Sequence, residues 1–132
     1  MGSASETVTV EKLRRAIDVR GQVFEPLDAL GLSSQRNVHV VTTLPGHIRG
    51  NHYHHEGSEV TAVMGPARVR YREGTQVTTL DIPPAEVWRF VFPPLVPHAF
   101  QNTGDDVMVI VSFNSMSHDP QRPDTQREVL LE

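Results

Sequence analysis

Four histidines crowd into the run from His47 to His55, within Gly46-His47-Ile48-Arg49-Gly50-Asn51-His52-Tyr53-His54-His55-Glu56-Gly57-Ser58-Glu59. A further histidine, His98, sits in Pro94-Leu95-Val96-Pro97-His98-Ala99-Phe100-Gln101-Asn102. Side chains alternate along a strand, so His52 and His54 on an extended segment share one face. A carboxylate from Glu59 and an imidazole from His98 on a neighbouring strand could complete a donor set of three nitrogens and one oxygen. Such a set suits a divalent ion such as zinc, nickel, iron or manganese, and spacing does not choose among them. The alternative is a set of histidines hydrogen-bonded to one another and to water, with no metal.

Holding such residues together takes short paired strands, and the rest of the chain is written that way. Candidate strands are Val38 to Thr43, Asn51 to His54, Val60 to Met64, Arg68 to Arg72, Gln76 to Asp81, Val87 to Phe92, His98 to Asn102 and Val107 to Phe113. Each is rich in β-branched or aromatic residues. Between them stand Pro45-Gly46, Gly65-Pro66, Glu73-Gly74, Pro83-Pro84, Pro93-Pro94 and Gly104-Asp105, all turn signals. The spacing predicts an all-β sandwich or barrel. Helix is scarce, with a turn or two expected at Glu11 to Ile17 and at Pro26 to Leu30. The tail from Ser117 to Glu132, broken by Pro120 and Pro123, is expected to wrap in extended form.

Composition narrows the function further. At 132 residues the chain makes one domain, divided here into an N-terminal segment (1–14), expected to be flexible in part, and a main body (15–132). A net charge of −4 gives no electrostatic case for nucleic acid or an anionic membrane. The apolar run Val107 to Val111 is too short to span a bilayer. The polar opening Met1 to Glu6 leads to the expectation of no signal peptide and a cytoplasmic location. There are no cysteines, so any metal must rest on His, Asp or Glu.

The two histidine clusters resemble the paired motifs of the cupin superfamily, whose fold is a double-stranded β-helix, or jelly roll. Gly46, His52, His54, Glu59 and Gly65 occupy the first motif. Pro94, His98 and Asn102 occupy the second, with Val96 where the superfamily has Gly. A register anchored at Gly65 would put Ser58, not Glu59, in the carboxylate place, since a slip of one residue changes the face. Glycine at the Val96 position supplies a positive φ, so the turn before His98 is expected to differ.

Three segments are similar to a narrower group. Arg49 to His55 resembles the C-terminal cupin domain of bifunctional capsular-polysaccharide reductase/epimerases. Asp18-Val19-Arg20-Gly21 with Phe24-Glu25 resembles the opening of that domain and of rhamnose-pathway nucleotide-sugar 3,5-epimerases. Asn114, Asp119-Pro120 and Pro123-Asp124-Thr125 resemble its closing segment. The resemblance implies a cytoplasmic homodimer that acts on a nucleotide-linked keto-deoxysugar as an epimerase or isomerase in polysaccharide or deoxysugar biosynthesis. It assigns the metal to His52, His54, Glu59 and His98, and the substrate to Arg20, Glu25 and Arg49. It also offers His52 as a catalytic base, a role closed to a metal ligand, with Glu59 as the other candidate. Two alternatives stay open: a non-catalytic sugar-binding or regulatory cupin, and a metal-dependent cupin oxygenase.

For other residues plainer roles are expected. His55 and Tyr53 should face away from His52 and His54, with Tyr53 packing the outside or a dimer contact. His47 should face solvent, and His39 should be a hydrogen-bonded strand residue. His118 gives no signal. Arg89 reads as a surface ion pair, Trp88, Phe90 and Phe92 as core or interface, and Tyr71 and Phe100 as core.

Overall fold

The computed structural model describes residues 7–132. Met1 to Glu6 lie outside them, and with them the expectation about a leader and the start of the 1–14 segment. The strands are β1 (Thr9–Lys12), β2 (Ala16–Asp18), β3 (Gly21–Val23), β4 (Asn37–Thr43), β5 (Ile48–His54), β6 (Glu59–Met64), β7 (Ala67–Glu73), β8 (Gln76–Ile82), β9 (Val87–Phe92), β10 (His98–Asn102), β11 (Met108–Asn114) and β12 (Thr125–Arg127), with one helical turn, α1 (Ala29–Leu32). One sheet has the order β1-β9-β6-β11-β4, a second β12-β5-β10-β7-β8, and β2 pairs only with β3. All pairings are antiparallel. The two five-stranded sheets pack face to face as the expected jelly roll.

Alternation explains the core. Phe90 and Phe92 on β9 point inward with Val63, Val69, Ile82 and Ile110, all essentially shielded from water. Burying each phenylalanine contributes about 1.5–3 kcal/mol. Trp88 packs against the same cluster, and its indole N–H donates to Glu86. A smaller cluster of Leu13, Ala62 and Val87, backed by Phe24 and Met64, lies beneath the N-terminal segment. Tyr71 and Phe100 are core as expected, and Arg89 pairs with Glu11 at 2.6 Å.

The eight predicted strands are present with shifted ends. The largest shift is in β5, which starts at Ile48 because Gly50 (φ 82) and Asn51 (φ 57) form a bulge inside it. Glu11 to Ile17 makes no helical turn. Instead β1 adds to β9, with Val10 opposite Phe90, a pairing that outweighs local preference. The turn expected at Pro26 to Leu30 falls at Ala29–Leu32, where Asp28 caps it by accepting from the Gly31 amide. The tail runs back as β12 beside β5, and Asn51 grips its continuation. The Asn51 carboxamide accepts from the Leu130 and Leu131 amides and donates to the Leu131 carbonyl. Among the described residues no helix is long and apolar enough to cross a membrane.

Candidate metal centre

Three of the four cluster residues stand on one sheet and the fourth on the other. His52 and His54 project from β5, and His98 from β10 directly opposite His52. Glu59 opens β6 and reaches across the sandwich from the facing sheet. Ligand atoms of all four lie within 4.8 Å of one another. The register question is thereby answered: Glu59 is buried in the cluster, and the Ser58 amide donates to Ser115 Oγ.

Each member is held by a specific neighbour. His98 is fully buried and stacks on Phe92, with ring centroids 4.1 Å apart. Its Nδ1–H donates to the Val96 carbonyl at 2.9 Å, which turns Nε2 inward. The positive φ of this turn falls at Leu95 (φ 69), one residue before the position where glycine was expected. The Leu95 amide donates to the His54 carbonyl at 2.7 Å, tying the turn to β5. His54 Nε2 lies 2.8 Å from Glu59 Oε1, and Thr61 Oγ1 donates to Glu59 Oε2 at 2.7 Å.

Burial would raise the Glu59 carboxyl. A proton shared into the cluster at His98, with contacts to His52, His54 and His98, would outweigh burial, and the direction for Glu59 is well below the usual carboxylate range. The carboxylate therefore stays ionised in an enclosed site. His98 Nε2 lies 3.3 Å from Glu59 Oε2, and His52 Nε2 lies 4.0 Å from Glu59 Oε1. Both nitrogens are shielded from solvent and lack a hydrogen-bond partner. A buried lone pair facing a carboxylate is unfavourable unless positive charge lies between them, and a proton or a divalent cation supplies it. The donor set fits a divalent ion on these grounds.

His52, His54 and Glu59 floor a cavity of about 520 Å³, with His98 buried behind them. One wall is β4, with Val38 and His39; another is the tail, with Met116, His118 and Asp119. Among the described residues no arginine or lysine lines it. Arg20 is exposed at the tip of the β2–β3 hairpin, paired with Asp18 at 2.6 Å, and Glu25 is exposed just beyond that hairpin. Arg49 donates to the Thr42 carbonyl at 2.8 Å and to Thr43 Oγ1 at 3.3 Å, joining β5 to β4. The structure thus brings together the four residues of the metal motif and leaves the three substrate-binding candidates outside the cavity.

His55 is exposed and packs edge-on against Tyr53, away from the cluster, and His47 is exposed. His39 was expected to be a hydrogen-bonded strand residue. It has that bond, to Asn37 at 3.3 Å, and it also lines the cavity. Its alternation with Val38 and Val40 left an inward-facing ring open as the other expectation, and it shares a strand face with Val41, which packs on the core. His118 lines the cavity from an irregular segment where no periodicity could have marked it.

Fold and site together define a small cupin with a three-histidine, one-carboxylate cluster. The chain belongs to the polysaccharide biosynthesis C-terminal domain family, a model of which matches residues 16–126. Among solved structures, the capsular polysaccharide assembling protein CapF from Staphylococcus aureus is 25% identical with a TM-score of 0.66; the match covers 89% of this chain and 34% of CapF. A variant of the 3,4-ketoisomerase QdtA from Thermoanaerobacterium thermosaccharolyticum, in complex with TDP-4-keto-6-deoxyglucose, is 18% identical with a TM-score of 0.66, covering 92% of this chain and 87% of that one. A dTDP sugar isomerase from Desulfovibrio desulfuricans is 20% identical with a TM-score of 0.70, covering 94% and 85%. The two isomerases share the fold, and this chain spans about a third of CapF. No curated protein sequence matches the chain.

Proposed function

We propose that this chain binds one divalent metal ion through His52, His54, Glu59 and His98, and that it is an isomerase or epimerase of a keto-deoxysugar carried on a nucleotide. The observation that carries the metal reading is the pair of buried, partnerless Nε2 atoms facing an ionised carboxylate. The sugar reading rests on family membership and on neighbours solved as nucleotide-sugar isomerases, one of them with a TDP keto sugar bound. Such a substrate belongs in the cytoplasm.

When bound, the ion would polarise a carbonyl or hydroxyl oxygen of the sugar. Moving a proton next to a ketone also needs a base. His52 and Glu59 cannot serve while they are ligands, and the role then falls to His39. Its Nδ1–H donates to Asn37 Oδ1, and the Asn37 amide is fixed by donating to the Met116 carbonyl at 2.7 Å. That leaves His39 Nε2 as the lone-pair nitrogen. Without a metal, His52 would be free to act as the base.

A diphosphate needs cations that this cavity does not supply from its own chain. We read the protein as a homodimer in which Arg20 and Glu25 serve the partner's cavity. The hairpin that carries Arg20 exposes Ile17, Val19 and Val23, and β4 exposes Val38 and Val40 at a sheet edge. A two-stranded hairpin is marginal without a further partner. Arg49 would join the grip by releasing Thr42.

The test is metal content per chain in wild type and His52→Ala, with solvent-deuterium incorporation into TDP-4-keto-6-deoxyglucose read by mass spectrometry. About one equivalent of metal, lost in the variant, together with deuterium uptake supports the proposal. Metal without deuterium uptake from any nucleotide keto sugar would leave a binding module. Iron-dependent oxygen uptake would make the chain an oxygenase.

A further inference from the structure

His54 turns Nε2 toward Glu59 and Nδ1 toward two outer groups of opposite character. Asn114 presents a donor, Nδ2, at 3.4 Å. Its amide orientation is fixed because Oδ1 accepts from the Met116 amide at 2.8 Å. Asp124 presents an acceptor, Oδ2, at 3.7 Å. That carboxylate is itself anchored, accepting from the Glu56 amide at 3.0 Å and the Gly57 amide at 2.8 Å. A Cβ on Gly57 would lie 2.6 Å from Asn114 Oδ1 and 3.1 Å from Asp124 Oδ2, so glycine there lets both groups approach the ring.

A neutral imidazole carries one N–H. With the proton on Nε2, that N–H donates to Glu59 and the Asn114 N–H meets the Nδ1 lone pair, an arrangement that satisfies the 2.8 Å and 3.4 Å contacts. When the Nε2 lone pair goes to a cation, the proton must sit on Nδ1. There the Asn114 amide opposes it, and Asp124 Oδ2, 3.7 Å away, is the acceptor that a shift of a few tenths of an ångström brings within hydrogen-bond reach. We propose that Asp124 is a positioning residue that selects the Nδ1–H form of His54 and thereby sets the affinity of the cluster for a divalent cation. This inference rests on the metal reading above. Outer carboxylates that orient a ligating imidazole change metal affinity by roughly 10–100-fold.

The experiment titrates Zn(II) alone into full-length wild type, Asp124→Asn and His52→Ala by calorimetry. In parallel, imidazole nitrogen NMR reads which His54 nitrogen carries the proton before and after loading. Asp124→Asn keeps an oxygen for the Glu56 and Gly57 amides and removes the carboxylate charge from His54. The expected result is unchanged stoichiometry, a Kd raised roughly 10–100-fold, and a His54 proton that moves from Nε2 to Nδ1 on loading of the wild type. Equal affinity of Asp124→Asn and wild type would overturn the positioning role while leaving the metal site standing, as would a loaded His54 still protonated on Nε2. Wild-type protein that takes up no Zn(II) would remove the metal reading, and this role with it. The nitrogen measurement uses unmodified protein and decides the matter even if the variant fails to fold.

Discussion

A Cβ built on Gly50 would lie 2.8 Å from the carbonyl oxygen of His98 and 3.2 Å from Ala99 Cα. The strand that carries His52 and the strand that carries His98 therefore meet backbone to backbone, at a residue whose φ of 82 already favours glycine. Gly46 has nearly the same φ (81) but open space around its Cβ position. Gly46→Ala should cost about 1 kcal/mol of backbone strain. Gly50→Ala should cost more, about 2–4 kcal/mol, and should also weaken metal uptake, because His98 must shift. Urea unfolding of both variants with metal titration checks this; equal costs and equal uptake would contradict it.

Glu59 gives the metal-free protein a particular response to acid. Its native carboxyl is held below its ordinary value of 4.5, so ionised Glu59 stabilises the fold above that value. That contribution drains away as pH falls from about 4.5 towards the depressed native value. Glu59→Gln has no such group and should lose less stability over the same acid window. Parallel unfolding curves of the metal-free proteins from pH 6 downward test it, and identical slopes would show that Glu59 is not linked to folding.

Asn51 makes three hydrogen bonds to the backbone of the C-terminal segment. At about 1 kcal/mol for each bond, Asn51→Ala should destabilise by roughly 2–3 kcal/mol. Asn51→Gly suits the positive φ but still loses the grip, so it should recover only the strain. Amide hydrogen exchange should show protection lost first at Leu130 and Leu131.

Leu95 holds φ 69 without being glycine, and its side chain is 62% exposed. Relief of that strain, about 1–2 kcal/mol, should offset the extra unfolded-state entropy of glycine, about 0.5–1 kcal/mol. Leu95→Gly should therefore be neutral to slightly stabilising, and Leu95→Val destabilising. Thermal unfolding of the pair reads the sign of each change.

The strands of the barrel were legible because one face of each is buried, and burial writes itself as alternation of β-branched and polar residues. His52 and His54 were legible for the same reason. The contact of Arg49 with the Thr42 carbonyl was not legible, because it joins two strands and the bulge at Gly50 and Asn51 between Arg49 and His52 has no spacing signature. The strands β1 and β12 owe their existence to partners distant in sequence and leave little local trace. Asn114 meets His54 across 60 residues and Asp124 meets the Glu56 amide across 68, contacts for which no spacing rule exists. Their segment was visible through resemblance alone, without a role for either side chain.

The pairing of β12 with β5 has a consequence for synthesis. A ribosome makes the chain from the N-terminus, so the strand bearing His52 and His54 emerges long before Thr125 to Leu131, which pair with it and lock it. Until those residues arrive, a histidine-bearing strand has a bare edge, open to pairing with a stranger and to stray metal. A segment translated some seventy residues after His52 and His54 is what covers the strand that carries them.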